Sequence, residues 1–296
     1  MSQLDRYAVI GQPIAHSKSP FIHAAFARAA GDKLSYEALE VMPAALAETL
    51  KQLHAEPYLG INVTLPHKTA VAGLCESISE RAERAGAVNT LTRTDSGWAG
   101  DNTDGAGFLA DLDRLGIALE GKTVLLLGAG GAARGLIAPL LSRQPKELAI
   151  SNRNPWKPEE LAERFKPLGN IVPRTHLALK GDSYDLIINA TSAGHAGAIP
   201  RLPGQLLAAG GAAYDLSYGS AHAPFAAWAK LQGAAVIADG LGMLVAQAAE
   251  AFALWRGSKP DVDPVLVSLR EPELAGCGET HRQPPKPVHP NRIGQD

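Results

Sequence analysis

Three glycines form a short turn near the middle of the chain, where an apolar strand gives way to a helix. The segment LLLGAGGAAR places Gly128, Gly130 and Gly131 directly between the two elements. Gly128 permits a tight turn, and Gly130 lets the backbone approach a pyrophosphate at the helix N-terminus. Ala133 takes the third fingerprint position, where a small residue allows close packing. Because strand, turn and helix occur in this order, the segment predicts a dinucleotide site rather than a glycine-rich turn without a ligand.

The residues after the next strand indicate which dinucleotide binds. That strand ends in SNRN, which contains Asn152 and Arg153, and Lys157 follows shortly afterwards. An NAD site usually has an acidic residue here for the ribose hydroxyls, whereas cations suit the 2′-phosphate of NADP. The absence of an acid therefore favours NADP, even if Arg153 is only a solvated surface residue.

A second polar cluster, HSKSP at residues 16–20, lies just ahead of an apolar helix. Ser19 as the N-cap, Pro20 at the first helical position and Gly31 at the end describe an ordinary helix. This interpretation leaves Ser17 and the lysine beside it without a role, so the cluster is also a candidate binding site.

Strands and helices alternate along the chain and must position both clusters. In the first third, four segments read as strands: RYAVIG (6–11), SYEALEV (35–41), LGINVTLPHK (59–68) and GAVNTLTR (86–93). Helices are expected after Pro20, over 44–54, and in the charged stretch before residue 86. The order predicts an α/β domain with a mostly parallel sheet. From residue 121 onward, five further apolar strands with helices between several of them predict a doubly wound Rossmann-type sheet.

The domain boundaries follow from the segments between these sheets. GDNTDG (100–105) precedes a helix with apolar residues at helical spacing, and we expect a hinge there because a new strand starts soon afterwards. The helix over 240–255 carries an apolar stripe. The Pro-rich segment 271–296 has no periodicity and is expected to be disordered.

Composition limits the class of protein. A chain of 296 residues suits two domains, and the formal net charge of −2 gives no nucleic-acid footprint. The two cysteines, Cys75 and Cys277, are far apart, which favours a reducing compartment, and the chain has no long apolar run. His16 and His67 have no second ligand at metal spacing, so no metal is expected. We expect a soluble cytoplasmic protein that binds neither nucleic acid nor membrane.

Seven segments occur in order through both halves: GQPIAHSKSPFIH, NVTLPHK, GAVNTL, GDNTDG, GAGGAAR, INATSAG and ADGLGMLVAQAAEAF. In these segments, from about Tyr7 to about Leu269, the chain resembles the shikimate dehydrogenases. Each segment alone is moderate evidence, whereas seven in order are highly specific. The resemblance implies an oxidoreductase that reversibly reduces 3-dehydroshikimate to shikimate with NADPH, in chorismate and aromatic amino acid biosynthesis.

The resemblance also implies a catalytic pair, Lys68 and Asp104. Charge develops on the ketone oxygen during reduction, and an ammonium that donates a proton stabilises it. In the oxidising direction the lysine must first lose its proton, so oxidation should be faster at alkaline pH. Without the resemblance, Lys68 reads as a solvated lysine and Asp104 as the N-cap of a helix over 105–116.

The remaining site residues come from the same motifs. Ser17 and Ser19 would hold the substrate carboxylate, since two hydroxyls at a helix N-terminus form a compact anion site. The full substrate set is Ser17, Ser19, Thr64, Asn89, Tyr218 and Gln247. The cofactor set is Glu80, Gly128, Ala129, Gly130, Gly131, Ala132, Asn152, Arg153, Lys157, Thr191, Ser217, Gly240 and Met243. The segment NRNPWK departs from the family, in which a threonine and a second arginine are more usual, and Lys157 is expected to supply the second cation.

The expected organisation is a catalytic, substrate-binding domain of residues 1–104 and 243–270, and an NADP-binding domain of residues 105–242, with both ligands in a cleft between the domains. The partner is a small molecule, and the chain acts as a monomer or homodimer. Two alternatives stay open: a quinate/shikimate dehydrogenase with relaxed cofactor use, and a non-catalytic NADP-binding sensor. The intact SKSP segment favours shikimate, and the presence of both Lys68 and Asp104 favours an enzyme.

Overall fold

The computed structural model describes residues 4–270, and the segment 271–296 lies outside the described residues. The strands are β1 (Asp5–Gly11), β2 (Leu34–Glu40), β3 (Tyr58–Val63), β4 (Ser77–Ile78), β5 (Thr90–Arg93), β6 (Trp98–Asp101), β7 (Thr123–Leu127), β8 (Glu147–Ser151), β9 (Ile171–Arg174), β10 (Tyr184–Asn189), β11 (Leu207–Asp215) and β12 (Val236–Ala238). The helices are α1 (Ser19–Ala30), α2 (Leu46–Ala55), α3 (Glu80–Ala85), α4 (Asp104–Arg114), α5 (Gly131–Ser142), α6 (Trp156–Phe165), α7 (Ala223–Leu231), α8 (Leu241–Arg256) and α9 (Asp263–Arg270).

The chain divides into two compact units. Unit 1 contains residues 4–83, 87–103 and 248–270, and unit 2 contains residues 84–86 and 104–247. Each unit has its own six-stranded sheet and its own apolar core. Both are therefore α/β units, as the alternation of strands and helices predicts.

Unit 1 has a mixed sheet with the order β2-β1-β3-β5-β6-β4. The β1–β2, β1–β3 and β4–β6 pairs are parallel, whereas β3–β5 and β5–β6 are antiparallel. The C-terminal half of α8 completes this unit through Trp255. Its indole packs where a side chain on Gly60 would lie and donates a hydrogen bond to the Leu91 carbonyl at 3.1 Å. A glycine at position 60 is therefore required for α8 to pack on the sheet.

Unit 2 is a doubly wound sheet with the order β12-β11-β10-β7-β8-β9, and all its pairs are parallel. Alternate residues of β7 contribute to different cores, Val124 and Leu126 to one and Leu125 and Leu127 to the other. A strand buried on both faces must be apolar throughout, which explains the run TVLLL. The strand order reverses between β7 and β10, where ligands of such sheets bind.

The structure adds four elements that the sequence patterns did not predict: β4, β6, β9 and α9. Strands β4 and β6 have only two and four residues, too few for a clear alternation of apolar and polar positions. Helix α9 follows a turn late in the chain. The helix expected over 44–54 is divided into a 3-10 turn over Pro43–Ala45 and α2.

Candidate active site

The five substrate and catalytic candidates of unit 1 come from one edge of its sheet. The serines follow β1, and Thr64 and Lys68 follow β3, which is parallel to β1. Asn89 precedes β5, whose antiparallel pairing places Thr90 opposite Asn62 near the end of β3. The carboxyl ends of parallel strands and the amino end of an antiparallel neighbour share an edge, so the topology gathers these side chains.

Ser19 is not the N-cap of α1, and this expectation was wrong by one position. The helix begins at Ser19, the capping position falls on Lys18, and no side chain caps it there. The Ser17 hydroxyl instead accepts a hydrogen bond from the Ser19 backbone N–H at 3.3 Å. Pro20 is accordingly the second residue of the helix and not the first, whereas Gly31 ends the helix as predicted, with φ of 70°. The Ser19 side chain is therefore not engaged in capping, and it is buried at 8% exposure.

The position of Thr64 is set by its close contact with the end of β1, where Gly11 lies. Its backbone N–H donates to the Ile10 carbonyl at 2.9 Å, and its methyl group occupies the space that a side chain on Gly11 would need. The loop after β3 then passes through His67, which is 1% exposed and whose Nε2 donates to the Val41 carbonyl at 2.8 Å. His67 therefore anchors this loop.

Lys68 follows this anchor and is half-buried. Its carbonyl accepts a hydrogen bond from the Val88 N–H at 2.8 Å, one residue before Asn89. The backbone of the lysine is thereby held beside that of Asn89. Asp104 begins both α4 and the long segment of unit 2, where the helix N-terminus favours a carboxylate. The pairing of Lys68 with Asp104 stays a prediction.

Asn89 is 2% exposed and has a fixed orientation. Its Oδ1 accepts hydrogen bonds from the Thr90 hydroxyl at 2.8 Å and from the Thr103 N–H at 2.8 Å. Its Nδ2 donates to the Thr103 hydroxyl at 3.0 Å. Because Oδ1 already accepts from these two donors, a contact of Asn89 with a substrate oxygen would be made by its amide nitrogen.

In unit 2, the glycine turn lies between β7 and α5 at the point where the strand order reverses. Gly128 has φ of 108°, and a Cβ there would lie 2.8 Å from the Ala190 carbonyl oxygen. A Cβ on Gly130 or Gly131 would meet nothing within 4 Å. The first turn of α5 has no acidic residue and no side-chain cap. In addition, Arg134 Nε is buried and has no partner among the described residues.

The segment after β8 presents its cations to solvent. Arg153 and Lys157 are exposed, and Trp156 between them is 71% exposed. The Asn154 side chain accepts a hydrogen bond from the Trp156 N–H at 3.1 Å, and this contact shapes the start of α6. Glu80 differs from the rest of the cofactor set, since it lies in unit 1 at the exposed start of α3.

The remaining cofactor and substrate candidates of unit 2 follow the neighbouring strands on the same edge. Thr191 follows β10, and its hydroxyl donates to Asn189 Oδ1 at 2.7 Å. Ser217 and Tyr218 follow β11, and Ser217 N–H donates to the buried Asp215 at 3.0 Å. Burial raises the pKa of the Tyr218 hydroxyl, so this group stays protonated at neutral pH. Gly240 follows β12, and its N–H donates to the Ser217 carbonyl at 3.0 Å.

Helix α8 carries Met243 and Gln247. Its start is held by a residue that the sequence reasoning missed, Asp111, whose buried carboxylate accepts from the Tyr214 hydroxyl at 2.6 Å. That carboxylate occupies the space beside Gly242, so position 242 excludes any side chain. Gln247 is half-buried, and its Nε2 donates to the Leu244 carbonyl at 2.8 Å.

The described residues contain no group of three or more His, Cys, Asp or Glu side chains arranged to hold a metal ion. None of the helices within residues 4–270 has both the length and the apolar character that a bilayer crossing requires.

Three family models match the chain. The shikimate dehydrogenase substrate binding domain covers residues 9–91, shikimate / quinate 5-dehydrogenase covers 112–198, and the shikimate 5′-dehydrogenase C-terminal domain covers 240–269. Among curated relatives, the shikimate dehydrogenase (NADP(+)) of Aeromonas salmonicida is 51% identical over 268 residues, which are 90% of this chain and 98% of the relative.

Two solved structures are similar to this chain in fold. An Ael1 enzyme from Pseudomonas putida is 43% identical with a TM-score of 0.85, and the match covers 90% of this chain and 99% of that chain. A shikimate 5-dehydrogenase from Thermus thermophilus, in complex with NADP(H) and shikimate, is 37% identical with a TM-score of 0.79 over the same shares.

Proposed function

Because the chain belongs to the shikimate dehydrogenase family, we propose that it carries out the NADP-dependent interconversion of 3-dehydroshikimate and shikimate, with Lys68 and Asp104 handling the proton. The observation that carries this proposal is the identity of 51% across 90% of the chain with a relative named for this reaction and cofactor. The chain is an oxidoreductase, and its cofactor is NADP.

The residues of unit 2 fit this cofactor. The open surface above Gly130 and Gly131 and the uncapped start of α5 suit a pyrophosphate, since backbone N–H groups there attract anions. The unpartnered Arg134 Nε adds positive charge to the same turn. Arg153 and Lys157 would hold the 2′-phosphate. Glu80, Ala129, Ala132, Asn152, Thr191, Ser217, Gly240 and Met243 complete the proposed cofactor set.

The proton chemistry belongs to Lys68. Bound NADPH supplies the hydrogen and the two electrons that reduce the ketone carbon. Lys68 donates a proton from its ammonium group to the ketone oxygen, which becomes a hydroxyl. Asp104 orients that ammonium, and the anchor at His67 limits the movement of the loop that carries it.

Polar side chains that are held in place by other hydrogen bonds would orient the substrate. Ser17 and Ser19 would bind the carboxylate, and Thr64 and Asn89 would bind ring hydroxyls, with Asn89 donating through Nδ2. Tyr218 and Gln247 would contribute from unit 2. A ring with several hydroxyl groups needs donors and acceptors of this kind, because each buried polar atom must find a partner.

Two other functions stay open. The family model over residues 112–198 is named for both shikimate and quinate, which favours testing quinate as a second substrate. A non-catalytic NADP-binding sensor on the same fold is the alternative outside enzymes, since fold does not fix activity. Retention of both Lys68 and Asp104 supports the enzyme over the sensor.

The test is an absorbance assay at the nicotinamide band with shikimate or quinate, each combined with NADP or NAD. Turnover restricted to shikimate with NADP is the expected result. Comparable rates with quinate or NAD would assign the chain to a broader-specificity enzyme. Binding of NADP without turnover in any combination would overturn the enzyme proposal and leave the sensor.

We also propose a cytoplasmic location and a monomeric or homodimeric state for the enzyme. Light scattering after size-exclusion chromatography distinguishes these two states from larger assemblies.

A further inference from the structure

A buried polar network in unit 1 links two proposed substrate residues that are far apart in sequence. The Tyr36 hydroxyl contacts the Ser19 side chain and donates to Asn62 Oδ1 at 2.7 Å. Asn62 Nδ2 donates to the Asn89 carbonyl at 3.3 Å and to the Thr90 hydroxyl at 3.1 Å. The network therefore runs from Ser19 through Tyr36 and Asn62 to Asn89.

The direction of each hydrogen bond is determined by its partners. The Asn89 carbonyl can only accept, so the Asn62 amide nitrogen faces it and Asn62 Oδ1 faces Tyr36. Tyr36 must then give its only proton to Asn62. At its other side Tyr36 offers Ser19 a lone pair, so the Ser19 hydroxyl can place its proton there or on an incoming carboxylate.

His23 holds the Tyr36 ring in this position. The two rings stack with centroids 4.2 Å apart and an interplanar angle of 6°. His23 is 1% exposed, it hydrogen-bonds Asn62, and its Nε2 has no partner within the part of the chain that the structure describes. Because Asn62 presents Oδ1 to the histidine, the ring carries its proton on Nδ1 and is neutral. Tyr36 is thus fixed by a stacked ring on its face and by Asn62 at its hydroxyl.

We propose that Tyr36 is a positioning residue for the substrate carboxylate, acting through Ser19. It accepts a hydrogen bond from the Ser19 hydroxyl while the site is empty, and that hydroxyl turns to donate to the carboxylate when the substrate binds. This inference rests on the proposed function, because it needs a carboxylate substrate at Ser19.

The test is a double-mutant cycle with Tyr36→Phe and Ser19→Ala. Tyr36→Phe keeps the ring and its stacking on His23 but removes the hydroxyl. We expect the KM for shikimate to fall about fivefold, because the free enzyme no longer holds the Ser19 proton in a hydrogen bond that the carboxylate must replace, with kcat and the KM for NADP within about twofold. In the Ser19→Ala background the same substitution should leave the KM for shikimate within about twofold, since the residue through which it acts is gone.

Tyr58→Phe is the matched control. Tyr58 is a buried tyrosine of the same unit, and its hydroxyl donates to Glu37 at 2.6 Å, away from the proposed site residues. We expect it to leave the KM for shikimate unchanged. All assays are run well below each variant's unfolding midpoint, so that loss of fold does not enter the comparison.

Two results would overturn the inference. One is a KM for shikimate that is unchanged or raised in Tyr36→Phe, and the other is an equal fall with and without Ser19. Either result in a wild-type enzyme that turns over shikimate contradicts the role of Tyr36 alone. Failure of the wild type to turn over shikimate contradicts the proposed function instead.

Discussion

Lys68 gives the most direct prediction at the scale of single residues. Lys68→Met keeps a long side chain and removes the proton donor, so kcat should fall by about a hundredfold to ten-thousandfold. Binding of NADP, followed by fluorescence, should be unchanged. Wild-type shikimate oxidation should accelerate toward alkaline pH, because Lys68 must first release its proton, and the variant should lose this dependence.

Lys51→Met is the control, since Lys51 is an exposed lysine of α2 in the same unit. It should retain the wild-type rate and pH profile. A wild-type rate in Lys68→Met would exclude the lysine as the proton donor.

Sequence reasoning at this scale predicts candidates whose chemistry is local and misses what depends on distant contacts. Asn152 and Arg153 could be read from the end of one strand. Tyr36 and Asn62 belong to different strands, and only the fold brings them together. The local error concerns Ser19. The N-cap pattern places Ser19 just before the helix, whereas in the structure Ser19 is the first helical residue. The nearby side-chain acceptor is the Ser17 hydroxyl.

At the scale of elements, the turn between β7 and α5 depends on Gly128. In Gly128→Ala the Cβ would lie 2.8 Å from a backbone oxygen at a φ that L residues rarely adopt. We expect the variant to lose about 1–3 kcal/mol of stability and to bind NADP at least about tenfold more weakly. Thermal unfolding and titration with 2′,5′-ADP measure the two effects separately.

Gly135→Ala in α5 serves as the matched control. Its Cβ would meet nothing within 4 Å, so the helix should gain about 0.5–1 kcal/mol without a change in nucleotide affinity. Equal affinities in the two variants would show that the conformation of Gly128 does not shape the binding turn.

The elements themselves were predictable to different degrees. The run TVLLL followed by glycines identifies β7 and α5, because burial on both faces and a phosphate turn each leave a local pattern. Unit 1 gave weaker patterns. Its β4 and β6 are short, and their pairing in a mixed sheet depends on neighbours that no local pattern specifies.

At the scale of the whole molecule, stability should depend on pH through His23. Burial lowers its pKa from 6.5 to about 3, and it is surrounded by Tyr36, Phe26, Phe252 and Trp255. Between these values the unfolded chain binds a proton that the folded chain does not. This contribution to stability is therefore complete above pH 6.5 and decreases as the pH falls, with a limiting slope of about 1.4 kcal/mol per pH unit.

Calorimetry between pH 4.5 and 6.5 measures this dependence. This range lies above the pH at which carboxylates take up protons. Asp32 is an example, since its hydrogen bond from Arg256 lowers its pKa. His23→Gln should show a shallower decline than the wild type, with His16→Gln as the control for substituting an exposed histidine. Parallel slopes in wild type and His23→Gln would contradict the prediction.

The last residues of unit 1 also have a consequence for how the protein is made. A ribosome releases β1 to β6 first and then the whole of unit 2 before it reaches Trp255, whose indole covers Gly60. Unit 2 is nearly continuous in sequence and can fold as it emerges. The first sheet must wait with an uncovered apolar surface until α8 has been translated, so a ribosome that stalls before Trp255 would present a nascent chain that chaperones or proteases recognise.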